Sequence, residues 1–380
     1  MKIAYCINDH SGGGGTERII SRKCNKLIEA GYEICIIDTF KSNCESVFNF
    51  SKEIDYYNLE IDYFKVRNYN LLIKLFLYPL LYILHAIKLR RILKKINPDI
   101  LISTFGHEAR IIPCVKHPCK RILEFHHTRG YKLIELSHRE LSSLQKMLIQ
   151  YNEQREEKLI NKFDTFVVLT EEDKQAWNNP SHCIVIPNMN SFSTLKYANT
   201  MQKQVLAMGR LTYLKGFDIL LKVWKQVSEI IPDWHLNISG EGEEKINLQK
   251  QIEELNLGNN VSILPFTQDA LSRYLEHSIF VLSSRHEGFG LVLTEAMECG
   301  IPCVSFRCKS GPSEIINDSI DGYLVTEQNI DEMAKKIIYL ATNDQIRGMM
   351  GKKAKENVKR FAEDLIILKW TSLFNNLLSK

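Results

Sequence analysis

The sequence predicts an α/β protein with two similar domains in tandem, each built on an open parallel sheet covered by helices on both faces. Short β-branched runs alternate with longer helical stretches along the chain, and this alternation is typical of parallel sheets. The alternation starts again after residues 186–194, a polar and turn-rich segment that indicates a linker. A length of 380 residues suits two domains of ordinary size.

The first half of the sequence supplies the strands and helices of the first domain. The predicted strands are Lys2–Ile7, Glu33–Asp38 and residues 99–103, 121–125 and 165–169. The predicted helices are residues 16–30, Leu71–Ile96 and residues 139–161. Their hydrophobic spacing follows the periods of strands and helices. We therefore assign residues 1–188 to the first domain.

The second half repeats the pattern. The predicted strands are residues 205–208, His235–Ser239, Val261–Leu264, residues 279–283 and Cys303–Phe306. The predicted helices are Phe217–Ile230 and residues 243–257, 267–275 and 291–299. We assign residues 189–362 to the second domain. Because ligands bind at the carboxyl ends of parallel strands, the cleft between the two sheets is the expected site.

Composition and charge exclude several classes of protein. A net charge of only +4 does not indicate a nucleic-acid partner. The apolar run at residues 1–7 is too short for the core of a signal peptide, so we expect a cytoplasmic location. The ten cysteines lack the paired two-residue spacing of a zinc site and are expected to be reduced.

A glycine-rich loop follows the first predicted strand and opens the first helix. Residues 11–17 read Ser-Gly-Gly-Gly-Gly-Thr-Glu, so the backbone can approach a ligand closely and the helix amides can meet an anion. We interpret this loop as a phosphate or sugar site, with a plain flexible turn as the alternative. A nicotinamide oxidoreductase would need a third glycine where Glu17 stands, although Asp38 lies where a ribose-binding acid could.

Two cations follow the first strand of the second domain. Arg210 comes directly after Gly209, and Lys215 precedes Gly216. A planar guanidinium and a compact ammonium both suit a diphosphate. Surface cations after strands are common, however, so this pattern alone is a weak indication of a diphosphate site and favours a solvated surface.

Two glutamates flank a glycine-containing helix start in the second domain. Glu287 follows a predicted strand, and Glu295 lies farther on within a mostly apolar helix. Gly288 and Gly290 bring backbone amides to a helix N-terminus that can hold phosphate. A carboxylate among core-facing neighbours is costly unless it meets hydroxyls or a donor. We therefore favour a sugar and ribose site over two solvated glutamates.

Two histidines end a strand of the first domain. The segment 124–128 reads Glu-Phe-His-His-Thr, and histidines at a strand end that faces a cleft can orient sugar hydroxyls. A structural role is an equally good interpretation of this pair.

Together these segments resemble the family-4 glycosyltransferases, a retaining and metal-independent family with the GT-B fold. The resemblance covers nearly the whole chain and includes Gly240-Glu241-Gly242. It is most specific at Glu287 and Glu295, with seven residues between them, followed by Ala296-Met297 and Gly300-Ile301-Pro302. The resemblance implies two Rossmann-like domains that face each other across a cleft. It also implies that the last helix, about residues 363–380, packs back on the first domain.

The resemblance also implies roles for the site residues. Arg210 and Lys215 would hold the donor diphosphate, Glu287 would contact the transferred sugar, and Glu295 would bind the nucleotide ribose. His126 best matches the family's first-domain histidine near the sugar, with His127 as the second choice. The resemblance places the remaining donor-binding groups at Gly14, Gly15, Phe289, Gly290 and Leu291. No metal ion or cofactor is expected, and the sequence has no Asp-x-Asp triplet.

A further resemblance narrows the range of candidate donor substrates. Residues 308–316 resemble a stretch common in bacterial polysaccharide transferases that use UDP-galactose, UDP-glucose or their N-acetyl forms, which favours a UDP-hexose donor. The expected acceptor is a glycan, lipid-linked, for a cell-surface polymer. The alternatives are a sugar-nucleotide epimerase on the same fold and a non-catalytic protein that binds sugar nucleotides.

An apolar segment with a basic end points to a membrane surface. Residues 69–87 are apolar but interrupted by Lys74, Pro79 and His85, and their length is near the minimum for a transmembrane helix. Five basic residues follow within 88–95, which suits an interfacial position on anionic lipid at the inner face of the cell membrane. The alternative is an ordinary helix packed on the sheet.

Overall fold

In the computed structural model the first parallel sheet occupies the first half of the chain. The structure describes residues 1–40, 46–66, 68–136 and 141–379. The strands of this sheet are β1 (Lys2–Ile7), β2 (Glu33–Asp38), β3 (Asp55–Asn58), β4 (Ile100–Ser103), β5 (Lys120–Glu124), β6 (Thr165–Val168) and β7 (Cys183–Val185). Their spatial order is β3-β2-β1-β4-β5-β6-β7, with every neighbouring pair parallel. The order reverses between β1 and β4, where a crevice for a ligand is expected.

The second half of the chain forms the second sheet. Its strands are β8 (Gln204–Met208), β9 (His235–Ser239), β10 (Val261–Leu264), β11 (Ile279–Leu282), β12 (Cys303–Phe306) and β13 (Gly322–Val325). Their order is β10-β9-β8-β11-β12-β13, and all of the pairs are parallel. Two parallel sheets with helices between the strands confirm the predicted α/β class.

Fourteen α-helices connect or follow these strands within the described residues. They are α1 (Gly15–Glu29), α2 (Tyr63–Val66), α3 (Leu71–Ile96), α4 (Tyr131–Glu135), α5 (Ser143–Ile160), α6 (Glu171–Ala176), α7 (Phe217–Ile230), α8 (Lys245–Glu254), α9 (Ala270–Leu275), α10 (Leu291–Glu298), α11 (Pro312–Ile315), α12 (Ile330–Thr342), α13 (Asp344–Asn357) and α14 (Glu363–Leu378).

The differences from the predicted elements lie mainly in short or late segments. The elements that were not predicted are the strands β3, β7 and β13 and the helices α2, α4, α6, α11, α12 and α13. For the predicted helix 139–161, residues 139 and 140 lie outside the described residues. Within the described part α5 begins at Ser143, because Ser142 and Gln145 form a capping box that fixes the first turn.

The last helix, α14, joins the core of the first domain. Its buried side chains Ile366, Trp370 and Phe374 belong to the same apolar cluster as Ile3 and Tyr5 of β1. The face of the first sheet under α14 is therefore covered by residues that come after the whole second domain.

The linker is held in place where the two domains join. Glu298 at the end of α10 accepts hydrogen bonds from the Asn190 side chain at 3.1 Å and from the Thr194 amide at 2.9 Å. The Asn190 amide donates to the Phe361 carbonyl oxygen just before α14. The two chain segments that pass between the domains are thus hydrogen-bonded to each other.

Candidate active site

The side chain of Glu287 is fixed by two donors in the loop after β11. Lys215 Nζ lies 2.6 Å from Glu287 Oε1, and the Ser284 hydroxyl donates to the same oxygen at 2.6 Å. The Glu287 side chain is only 8% exposed. The structure therefore brings together two of the predicted site residues. Their ammonium and carboxylate groups are in contact and are largely shielded from water.

The loop that carries Lys215 is packed directly on the end of β11. Gly216 has a φ of +64°, and a Cβ there would lie 2.2 Å from the Ser283 carbonyl oxygen. Only glycine fits this close approach. The Ser283 hydroxyl also donates to the Lys215 carbonyl oxygen at 3.0 Å. Arg210 differs: it is exposed and makes no ion pair within the described part of the chain.

Glu295 lies on α10, where both of its oxygens accept hydrogen bonds. Arg18 of α1 donates to Oε1 at 2.7 Å, and the Tyr274 hydroxyl donates to Oε2 at 2.8 Å. The Glu295 side chain is almost completely buried. Burial, followed by the neighbouring Glu295 charge, raises the pKa of Tyr274 well above its usual value, so this phenol stays a donor. The ion pair from Arg18 crosses from one domain to the other.

The N-terminus of α10 faces the first domain. Gly290 caps this helix with a φ of +99°, and a Cβ on Gly15 would lie 3.5 Å from a methyl carbon of Leu291. The glycine-rich loop and the helix start are therefore adjacent across the cleft. Backbone amides at the start of a helix suit an anion.

The histidine strand end also touches the second domain. A Cβ on Gly288 would lie 2.3 Å from the His126 carbonyl oxygen, so the two backbones are in contact. The Thr128 hydroxyl and His286 Nε2 form a hydrogen bond across the same boundary. The ring of His127 instead stacks on Tyr131, with ring centroids 4.4 Å apart. The structure thus brings the predicted residues of both domains to one place in a closed arrangement.

Asp38 does not lie free at the cleft as a ribose-binding acid would. It is 1% exposed, and its oxygens accept from the His10 amide at 3.0 Å and contact His10 Nδ1 at 2.7 Å. This removes the acid that the nicotinamide alternative required. Asp9, His10 and Asp38 are close enough to hold a metal ion. Asp9, however, already accepts from Ser11, so hydrogen bonds within the loop explain the cluster.

Comparison with known protein families agrees with this arrangement. The family model described as "Glycosyl transferases group 1" matches residues 195–357, and the one described as "Glycosyltransferase Family 4" matches residues 13–189. The two matches fall on the two halves of the cleft. The chain is a GT-B glycosyltransferase. The prediction of a glycosyltransferase with this fold is confirmed.

The relatives of this glycosyltransferase span different shares of the chain. An uncharacterised glycosyltransferase of Haemophilus influenzae is 29% identical over 98% of the chain and 99% of its own length. The amylovoran biosynthesis glycosyltransferase AmsD of Erwinia amylovora is 33% identical over 55% of the chain and 61% of its own length. The solved structure of sucrose-phosphate synthase from Thermosynechococcus elongatus has a TM-score of 0.82 at 18% identity and full coverage of both chains, which shows a shared fold.

The sequence interpretation missed the two side chains that donate hydrogen bonds to Glu295 in this glycosyltransferase. Arg18 stands in the first turn of α1, and Tyr274 precedes β11. For Arg18 a signal existed, because a cation three residues after the glycine loop must lie near whatever that loop approaches. Tyr274 had no comparable signal, since only the packing of α9 against α10 brings it to Glu295.

Proposed function

We propose that this glycosyltransferase is a retaining, metal-independent hexosyltransferase. It moves a hexosyl or N-acetylhexosaminyl unit from a UDP-sugar, with UDP-galactose or UDP-glucose favoured, to a glycan acceptor. The observation that carries the proposal is the contact between Lys215 and Glu287 beside the start of α10. A cation, a carboxylate and free helix amides in one place suit a diphosphate joined to a sugar.

The donor diphosphate would lie between the two domains. The amides of Phe289, Gly290 and Leu291 would hold its oxygens, while Lys215 and Arg210 supply positive charge. Arg210 is exposed and makes no ion pair within the described residues, so it could approach a phosphate without breaking one. These cations and dipoles would stabilise the charge on the departing nucleotide, which is the part that a metal ion has in other enzymes.

The transfer would occur on one face of the sugar. The bond from the anomeric carbon to the phosphate oxygen breaks, the acceptor oxygen bonds to the same face, and the acceptor proton passes to the leaving phosphate oxygen. No enzyme carboxylate is needed as a nucleophile. Glu287, already anchored by Ser284 and Lys215, would bind hydroxyls of the transferred sugar.

Glu295 would bind the nucleotide ribose. Its Oε1 is shared with Arg18 and its Oε2 with Tyr274, so ribose hydroxyls and Arg18 would compete for the same oxygen. Arg18 is partly exposed and can rotate toward the diphosphate as the ribose arrives. The movement of Arg18 from Glu295 to the diphosphate would connect the first domain to the donor.

The acceptor is proposed to be a lipid-linked glycan for a cell-surface polysaccharide. The similarity to the amylovoran biosynthesis glycosyltransferase supports a polysaccharide product. A sugar-nucleotide epimerase would use the same cleft but would alter the donor without an acceptor, and a non-catalytic protein would bind the donor and release nothing.

A panel of nucleotide sugars tests the proposed function. In excess EDTA we expect UDP to be released from one UDP-hexose only when a lipid-linked glycan extract is present, and NMR of the product should show the anomeric configuration of the donor. Donor conversion without acceptor would establish the epimerase instead. Loss of activity with EDTA and its recovery with magnesium would contradict the metal-independent mechanism.

We also propose that α3 attaches the enzyme to an anionic membrane, at the cytoplasmic face. By length and composition Leu72–Ile96 could cross a membrane, but its inner stripe, including Leu89 and Leu93, packs in the core of the first domain. The opposite stripe is apolar and exposed, with Phe76 at 83% and Leu72 at 77%. Exposed basic residues follow at its carboxyl end: Arg90, Arg91, Lys94 and Lys95. An apolar stripe next to cations suits acyl chains beside anionic headgroups.

Sedimentation with liposomes tests this attachment. The wild type is expected to bind anionic vesicles and not neutral ones. Changing Arg90, Arg91, Lys94 and Lys95 to Ser should weaken binding at least about a hundredfold, because each cation near the surface contributes about 1 kcal/mol. The matched control changes four exposed lysines of the second domain to Ser and should bind normally: Lys245, Lys250, Lys352 and Lys353. Equal binding to both lipids, or binding to neither, would refute the proposal.

A further inference from the structure

Two charged side chains are buried together beside His126. Lys23 of α1 and Glu124 of β5 are each 1% exposed, and Lys23 Nζ lies 2.5 and 2.6 Å from the two oxygens of Glu124. The same Nζ lies 3.9 Å from the centre of the Trp370 ring on α14. Two carboxylate oxygens and one aromatic face thus accommodate the three protons of the ammonium group.

Stability is a poor explanation for this pair. Removing two charges from water costs several kcal/mol per ion, and apolar residues of similar volume often give an equal or more stable core. The pair lies at the carboxyl end of β5, and Glu124 is two residues before His126. Its position therefore points to the histidine and the cleft.

Glu124 lies next to one ring nitrogen of His126. His126 Nε2 is 3.2 Å from Glu124 Oε1, a contact that does not meet the geometry of a hydrogen bond. Burial acts to raise the pKa of Glu124, but the positive charge of Lys23, together with the contact to His126, outweighs it and lowers this pKa to about 2. An ionised carboxylate can only accept hydrogen bonds. It therefore favours the neutral histidine tautomer with the proton on Nε2.

The other ring nitrogen is left for a ligand. Within the described residues both ring nitrogens of His126 are buried without a hydrogen-bond partner. Nε2 has the contact with Glu124, whereas Nδ1 makes neither an ion pair nor a hydrogen bond there. A buried polar atom without a partner is uncommon in folded proteins and calls for one. Gly288 lies against the His126 backbone, and Glu287, the proposed sugar contact, precedes it in the chain.

We propose that Lys23 and Glu124 are positioning residues that hold the proton of His126 on Nε2, so that Nδ1 accepts a hydrogen bond from a hydroxyl of the transferred sugar. This inference rests on the proposed function, which places the sugar beside His126. Lys23 acts by keeping Glu124 ionised, since a protonated Glu124 would donate to Nε2 and reverse the histidine form. Trp370 covers the cation, so α14 also helps to hold the pair that positions His126.

The form of His126 can be observed directly by NMR of protein labelled with ¹⁵N at histidine, with the His126 signals identified from His126→Gln. In the wild type we expect the proton on Nε2. In Lys23→Met we expect the other form or a mixture, because Glu124 takes up a proton. The variant Lys23→Met with Glu124→Gln replaces both charges by neutral side chains of similar shape, so it keeps the experiment informative if the single variant folds poorly.

Kinetics complete the test. Both variants are expected to lose about tenfold to a hundredfold in kcat with little change in the donor KM, as when groups that orient a functional histidine are removed. The matched control is Lys26→Met, on the same helix, whose ammonium pairs with Glu29 and also contacts Glu363 of α14; it should leave both readouts unchanged. Wild-type histidine signals in the variants would overturn the inference. Altered signals with normal kcat would instead remove His126 from the proposed reaction.

Discussion

Replacing Lys215 with alanine is expected to lower kcat by about 100-fold to 1000-fold, the effect of removing one charge-stabilising donor from a preorganised site. Lys215 lies 2.6 Å from Glu287, beside the proposed path of the leaving diphosphate. Arg210→Ala should act in the same direction. Initial rates at saturating donor, with circular dichroism to confirm folding, provide the measurement.

A matched control separates this effect from a general loss of charge. Lys245→Ala removes an exposed lysine of the same domain that pairs with Glu241, and its rate should equal that of the wild type. Folding should survive Lys215→Ala, because Ser284 continues to donate to Glu287. Normal rates in both Lys215→Ala and Arg210→Ala would contradict the assignment of the diphosphate site.

Replacing Gly288 with alanine is expected to lower kcat/KM by about 100-fold, because a misplacement of roughly 1 Å between reacting groups has an effect of this size. The new Cβ would lie 2.3 Å from the His126 carbonyl oxygen in the other domain. The φ of Gly288 is not in the left-handed region, so alanine suits the local backbone. We therefore expect Gly288→Ala to impair closure of the cleft without affecting the folding of either domain.

Small-angle scattering together with thermal unfolding distinguishes these effects for Gly288→Ala. We expect a larger radius of gyration with a melting temperature close to that of the wild type. Gly258→Ala is the control, since a Cβ there meets no atom within 4 Å. An unchanged radius together with unchanged kcat/KM would show that the contact between Gly288 and His126 has no part in the reaction.

The hydrophobic periodicity of the sequence was sufficient to predict the helices and strands that pack in the core. The helix Phe217–Ile230 was predicted at the observed bounds because one face is continuously apolar, including Trp224. The strand β3 escaped prediction because its four residues, Asp-Tyr-Tyr-Asn, show little of a strand's alternation and lie at a sheet edge. Short edge strands depend on their neighbours more than on their own residues.

The site was predictable where its residues are close in sequence. Glu287 and Glu295 carry a local pattern, and the structure places them on the loop and the helix that the pattern indicated. Arg18 and Glu295 are 277 residues apart, and no local pattern joins two such positions. Asp38 shows the reverse case: its place in the sequence suited the ribose of the disfavoured nicotinamide alternative, whereas its oxygens contact the amide and ring of His10. Long-range pairs need the packing of the domains.

The position of α14 has a consequence for synthesis on the ribosome. The first sheet ends at Val185, whereas the helix that covers one of its faces begins at Glu363. At about 5–20 residues per second, the nascent first domain waits roughly 10–35 seconds with Tyr5 and its apolar neighbours uncovered. The order of translation therefore makes the earliest domain the last to finish folding, and it exposes an aggregation-prone surface to chaperones during that interval.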